Sequence, residues 1–148
     1  MKPLFKVAAT LVLAGVAGHA AADIKPFEAV EYRKGIFKAV KWHFGAMGDM
    51  VKGKAEFDSE DFARRADLLA ALSQMPWEGF RPGTYASATS ALPVIEDEWE
   101  DFTAAGDAFS EKAAALAVAA KGDDMKAIKS AFVATARTCK GCHDDFKD

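Results

Sequence analysis

The chain has 148 residues, 51% of them hydrophobic, with 19 Lys and Arg against 22 Asp and Glu. That length suits one domain with its own core. A formal charge of −3 without a basic cluster excludes nucleic acid as a partner.

Residues 1–22 read as a secretory signal peptide. Lys2 and Lys6 form a basic start, Val7 to Val16 an apolar run, and Ala20-Ala21-Ala22 a small-residue cleavage site before Asp23. The run is short for a membrane span, although an uncleaved anchor is the alternative. Cleavage leaves one domain, 23–148, and removes His19 with Lys2 and Lys6. The processed chain then keeps 17 basic against 22 acidic residues, a net −5. No second apolar span follows, so no membrane contact is expected after processing.

Helix one is expected over 26–52. Pro26 suits a first turn, and Val30, Arg33, Phe37, Val40, Phe44, Met47 and Val51 recur in steps of three and four, the seam of a bundle helix. Arg33 is anomalous there, because a cation in a seam needs a partner. Helix two is expected over 58–75. Asp58 is its N-cap, with Asp61 three residues on, and Phe62, Ala66, Leu69 and Leu72 form its inward stripe before Pro76 stops it. A long connection, 76–92, carries Trp77 and Phe80, two large rings in a turn-like stretch that are expected to fold back over something apolar. Helix three is expected over 93–121, with Ile95, Trp99, Phe102, Gly106, Phe109, Ala113, Leu116 and Ala120 inward. Helix four is expected over 124–147, capped by Asp123 or Asp124, with Met125, Ile128, Phe132, Thr135, Cys139, Cys142 and Phe146 as its seam. No strand-like alternation competes. The fold class is all-α, an antiparallel four-helix bundle.

Helix four ends in Cys139-Lys140-Gly141-Cys142-His143, the C-x-x-C-H pattern of covalent c-type haem attachment. Spacings of three and four place both thiols and the imidazole near one helix face. Cys139 and Cys142 are then the haem-bonding cysteines and His143 the metal ligand. Because both cysteines fall on the inward stripe, the haem c enters the bundle interior. Zinc would want further ligands of the right type, and a redox dithiol would want a βαβ setting. The oxidising space outside the inner membrane suits the signal peptide, and there a vacant cysteine pair risks a disulfide.

With these residues in place, the chain resembles the cytochrome c′ family over its whole processed length. The resemblance is carried by Glu31-Tyr32-Arg33-Lys34, by 51–58 at the first turn, by Leu72, Pro76-Trp77 and Phe80, by Phe102, and above all by the C-terminal block from Cys139 to Phe146. It implies a periplasmic monohaem protein, usually a homodimer, with five-coordinate iron that binds NO and often CO. It further implies that Arg33 meets a haem propionate, and that Phe37 holds the distal position where low-spin relatives carry a ligating Met. Lys34, Trp77, Phe80 and Phe102 join the cofactor-binding set. Two departures stand out. Lys147 replaces a frequent Arg and loses its bidentate fork. Glu96 stands where the family often has Trp, with Trp99 three residues before Phe102.

Phe37 cannot ligate iron, so a sterically gated sixth site follows. His43 is the rival ligand, but it sits about 120° around the helix from Phe37 and shares a stripe with Tyr32, Ile36, Met47 and Met50, which suits helix packing or a dimer surface. Met47, Met50, Met75 and Met125 fall at helical spacings typical of core. Three functions are in play. The first is NO sequestration or transport. The second is electron transfer with a redox protein partner, gas binding being incidental. The third is a peroxidase-like or NO-reducing enzyme, weakened by the lack of a distal His/Arg pair.

Overall fold

The structure, a computed structural model, describes residues 24–85 and 88–148; the signal-peptide reading lies outside them. Four helices run in chain order: α1 Pro26–Val51, α2 Ser59–Leu72, α3 Trp99–Ala119 and α4 Met125–Phe146. Between α2 and α3 lie two 3-10 turns, Pro76–Gly79 and Pro93–Glu96. The connections after α1 and α3 are short, so successive helices run antiparallel. Among the described residues no strand forms; one isolated antiparallel bridge joins Ala91 to Lys147. No helix among them is long and apolar enough to cross a membrane.

The helix ends follow local chemistry. At the end of α1, Gly53 takes φ +70°, its N–H donates to the Met50 carbonyl at 3.1 Å, and Lys54 N–H donates to the Asp49 carbonyl at 2.8 Å. Those two bonds are the Schellman pattern, which favours glycine. Asp58 caps α2 by accepting from Asp61 N–H at 3.0 Å. Of the two candidates for α4, Asp124 is the cap, accepting from Lys126 and Ala127 N–H at 2.9 and 3.1 Å.

Helix three differs from its expected span. Pro93–Glu96 forms a separate turn, and regular α-helix starts only at Trp99. Two interactions hold the turn. Ile95 is fully buried, and the Glu96 carboxylate accepts from Gly83 N–H at 3.0 Å. The break at Glu98 (φ −111°, ψ 40°) resets the helical phase. Trp99 therefore leaves the seam and is 43% exposed, its ring tilted against Phe102 at 5.6 Å. The position of Glu96 is thus explained: it ties a loop rather than fills a core.

The remaining stripes point inward. Val40, Met47, Phe62, Leu69, Leu116 and Phe132 are buried in the main core. Each fully buried aliphatic or Phe side chain contributes about 1.5–3 kcal/mol. Helices α1 and α4 meet where Phe44 stacks on Phe132, with centroids 4.3 Å apart and planes 7° from parallel. Gly48 lets them approach, since a Cβ there would lie 3.3 Å from Phe132 Cζ. Toward the C-terminus of α4 a second cluster, Phe80, Tyr85, Ile95, Phe102 and Phe146, forms the end of the bundle.

Of the α1 stripe that suits helix packing or a dimer surface, Tyr32 stays exposed and the rest packs inward in part. Ile36 and Met50 pack on the main core. The Tyr32 hydroxyl lies 2.6 Å from Glu78 Oε1 and 3.0 Å from the Met75 carbonyl. His43 is half-buried against α2, its Nδ1 without a hydrogen-bond partner. Burial and then the Arg65 and Arg64 charges lower its pKa, with Asp61 opposing.

Two outcomes follow from this packing. In the unfolded chain His43 takes a proton near pH 6.5, whereas in the fold it resists protonation. Falling pH therefore favours unfolding from about that value until the folded pKa is passed. Urea midpoints for wild type and His43→Leu should diverge between pH 7 and 5, with wild type losing more; parallel pH profiles would contradict the packing. Gly106 accommodates Trp77, three of whose ring atoms would lie 3.1 Å from an added Cβ. The Trp77 N–H is tied to the Ser73 carbonyl at 2.7 Å, so the ring cannot retreat. Gly106→Ala gains about 1 kcal/mol of helix propensity against an overpacking cost of about 1–3 kcal/mol. Equilibrium denaturation should show a net loss of about 1 kcal/mol.

Candidate haem site

Where α1 and α4 diverge beyond Phe44 and Phe132, a cavity of about 640 Å³ opens. That volume lies within the ~300–1,000 Å³ usual for cofactor pockets. Helix α4 presents Cys139, Cys142 and His143 to it, and α1 presents Arg33, Lys34 and Phe37. Trp77, Phe80, Phe102 and Lys147 complete the expected set, so every one of the ten site residues lines this cavity.

Each arrives by its own route. The seam of α4 places Cys139 and Cys142 half-buried on the inner wall, with His143 one residue further toward solvent. Burial raises both thiol pKa values, and for Cys142 the neighbouring Cys139 adds to it. A reactive dithiol needs the opposite shift, and among the described residues no group of three His, Cys, Asp or Glu is placed to hold a metal ion. The dithiol and zinc alternatives therefore lose support. Partial burial and then the Lys147 charge lower the His143 pKa, with Asp144 opposing, a shift toward the neutral imidazole that metals take as a ligand.

On the α1 side, Phe37 is half-buried and meets Trp77 and Phe80 edge-on, at 6.1 and 6.3 Å between centroids. Phe80 lies 4.7 Å from Phe102, and Phe102 meets Phe146 edge-on at 5.3 Å. These rings form a continuous aromatic wall. Its one polar ring atom, the Trp77 N–H, is already bonded to Ser73. His43 is not on the wall, and neither are Met47, Met50, Met75 and Met125.

The charged members differ in kind. Arg33 is 2% exposed and donates to the loop rather than to a carboxylate: to Gly79 O and Thr84 Oγ1 from Nη1, and to Thr84 O and Thr89 Oγ1 from Nη2, at 2.7–2.9 Å. Lys34 is paired with Glu31 at 2.7 Å on the rim. Lys147, past the end of α4, is extended and bridges to Ala91. Its Nζ donates to the Asp148 carbonyl at 2.8 Å.

Several lining residues were not expected: Lys38, Lys41, Phe44, Thr89, Ile95 and Ala105. Lys38 and Lys41 were findable by helical spacing from Phe37 and Lys34. Thr84, which holds Arg33, and Thr89 lie in irregular loop, where no periodicity marks them. Among the described residues the lining carries five cations and no carboxylate. The residues thus fit a c-type haem: two thiols and an imidazole on one helix, apolar walls for a macrocycle, and positive charge for its propionates.

The Cytochrome C' family model matches residues 28–147. Cytochrome c′ of Halomonas halodenitrificans is 39% identical over 129 residues, covering 83% of this chain and 98% of the relative. That of Rubrivivax gelatinosus is 39% identical over 125 residues, covering 84% and 97%. Among solved structures, cytochrome c prime from Shewanella frigidimarina superposes with a TM-score of 0.83 at 48% identity, covering 84% of this chain and 97% of that one. A nitric oxide complex of a mutant cytochrome c prime from Alcaligenes xylosoxidans gives 0.78 at 33% identity, covering 84% and 96%.

Proposed function

The chain belongs to the cytochrome c′ family, whose members carry covalent haem c, and from that premise we propose that it is a periplasmic monohaem protein binding NO and CO at a sterically gated site. The observation that carries this is Phe37, an aromatic ring that cannot ligate, on the same cavity as the imidazole of His143.

In this function Cys139 and Cys142 would form the two thioether links and His143 would ligate the iron. Haem c bound there would supply an iron able to take a small ligand. The chain determines what reaches it. Phe37, backed by Trp77 and Phe80, fills the space a ligand must enter, so entry requires the ring to move. Bulky molecules are excluded by that wall. O2 finds no donor there, because the Trp77 N–H is spent on Ser73. NO bonds iron strongly enough to offset ring displacement. A nitric oxide complex is known for the Alcaligenes relative, which supports gas binding here. Peroxidase-like chemistry is disfavoured by the cavity's composition, since His143 is the one histidine lining it among the described residues.

Electron transfer is the second reading. The five cations around the cavity, in a chain that is acidic overall, favour steering of an anionic redox partner. A homodimer is the assembly the family resemblance leads us to expect, and the signal peptide directs the chain to the periplasm.

Stopped-flow measurement of CO association to the ferrous protein tests the gate. Phe37→Ala should accelerate it by about tenfold or more, on the order of the 1.4 kcal/mol that a displaced ring contact represents. An unchanged rate would show that Phe37 is ordinary core.

A further inference from the structure

Arg33, which the family resemblance assigns to a haem propionate, also holds the loop beside it. A guanidinium has five N–H groups. Both N–H groups of Nη1 are used, on the Gly79 carbonyl at 2.8 Å and Thr84 Oγ1 at 2.7 Å. Both of Nη2 are used, on the Thr84 carbonyl at 2.7 Å and Thr89 Oγ1 at 2.9 Å. Only the Nε–H remains.

The loop is in turn built around this cation. Thr84 Oγ1 donates to the Arg81 carbonyl at 2.6 Å while it accepts from Arg33, which closes a tight turn over 81–84. Gly79 passes against α1 so closely that a Cβ would lie 3.0 Å from both the Ala29 carbonyl and Arg33 Cβ. The guanidinium carbon lies 4.5 Å from the centre of the Phe80 ring and 5.4 Å from that of Tyr85. Phe80 is one of the two rings that Phe37 leans on, at 6.3 Å and 73°. A continuous path therefore runs from Arg33 through Phe80 to Phe37.

We infer that Arg33 is a positioning residue for ligand entry: with Thr84 and Thr89 as its acceptors, it fixes Phe80 as the back-stop of the Phe37 ring. The stiffness of the gate is set by this neutral-acceptor clamp as well as by the size of Phe37. Thr84 becomes a determinant of ligand selectivity although it lies behind the wall, out of reach of any ligand. The inference rests on the gated-site reading above, so its test carries a control for that reading.

The test uses the haem-loaded protein and its Thr84→Val, Thr84→Ser and Phe37→Ala variants, with Thr89→Val held ready should the buried Thr84→Val fail to fold. Valine keeps the shape of threonine and removes the hydroxyl, whereas serine restores it. Amide hydrogen exchange across 79–85 should quicken by about tenfold in Thr84→Val and stay near wild type in Thr84→Ser. CO association should rise by roughly three- to tenfold in Thr84→Val, again with serine rescue, while the reduction potential stays put because Arg33 keeps its charge. If exchange quickens and Phe37→Ala speeds CO binding but Thr84→Val does not, the gate exists without this support and the positioning role is wrong. Exchange that stays unchanged overturns the clamp itself. Silence of both Phe37→Ala and Thr84→Val toward CO removes the gate, and the positioning role falls with it, while exchange still reports whether the clamp orders the loop.

Discussion

A guanidinium buried in a bundle with no carboxylate side chain beside it among the described residues must have its N–H groups met by something else, because leaving them unmet is costly. In this chain neutral acceptors from one loop meet four of them. That requirement explains why an irregular connection packs tightly against α1 instead of looping out. It also explains why Gly79 sits where a side chain would collide with α1. The loop cannot be relocated without stranding the charge, and it carries Trp77 and Phe80 to the cavity.

The opposite end of the same loop is held from the other side. Leu92 N–H donates to the Phe146 carbonyl at 3.0 Å, and Asp148 N–H to the Ser90 carbonyl at 2.9 Å. The connection thus spans the gap between α1 and α4, which meet further along, where Phe44 stacks on Phe132. The cavity is the space this arrangement leaves open. One wall carries thiols and an imidazole, groups that bond a haem and its iron. The other carries rings that bond neither. A site so divided offers strong fixation on one side and steric resistance on the other, which suits a small, strongly bonding ligand better than catalysis through proton transfer.

Much of this was legible in the residues. Steps of three and four gave each helix and its inward face, and C-x-x-C-H placed the attachment chemistry on the α4 seam. The anomaly of Arg33 in an apolar stripe was visible too, because charge and periodicity conflict locally. Its partners were not visible. Thr84 and Thr89 are ordinary loop residues until the loop folds onto α1, and that contact joins positions about fifty residues apart. The start of α3 was misjudged for a related reason. Helical spacing from Ile95 to Trp99 is a local signal, whereas the Glu96 bond to Gly83 that breaks the helix is a tertiary one. Trp99 therefore looked inward on paper and lies at the surface.

The proposed function requires His143 to be the iron's one protein ligand. Electron paramagnetic resonance and absorption spectra of the ferric, haem-loaded protein at neutral pH read this directly. A five-coordinate, predominantly high-spin signal is expected; a six-coordinate low-spin signal would mean that a side chain ligates the site assigned to the gas, and would contradict it.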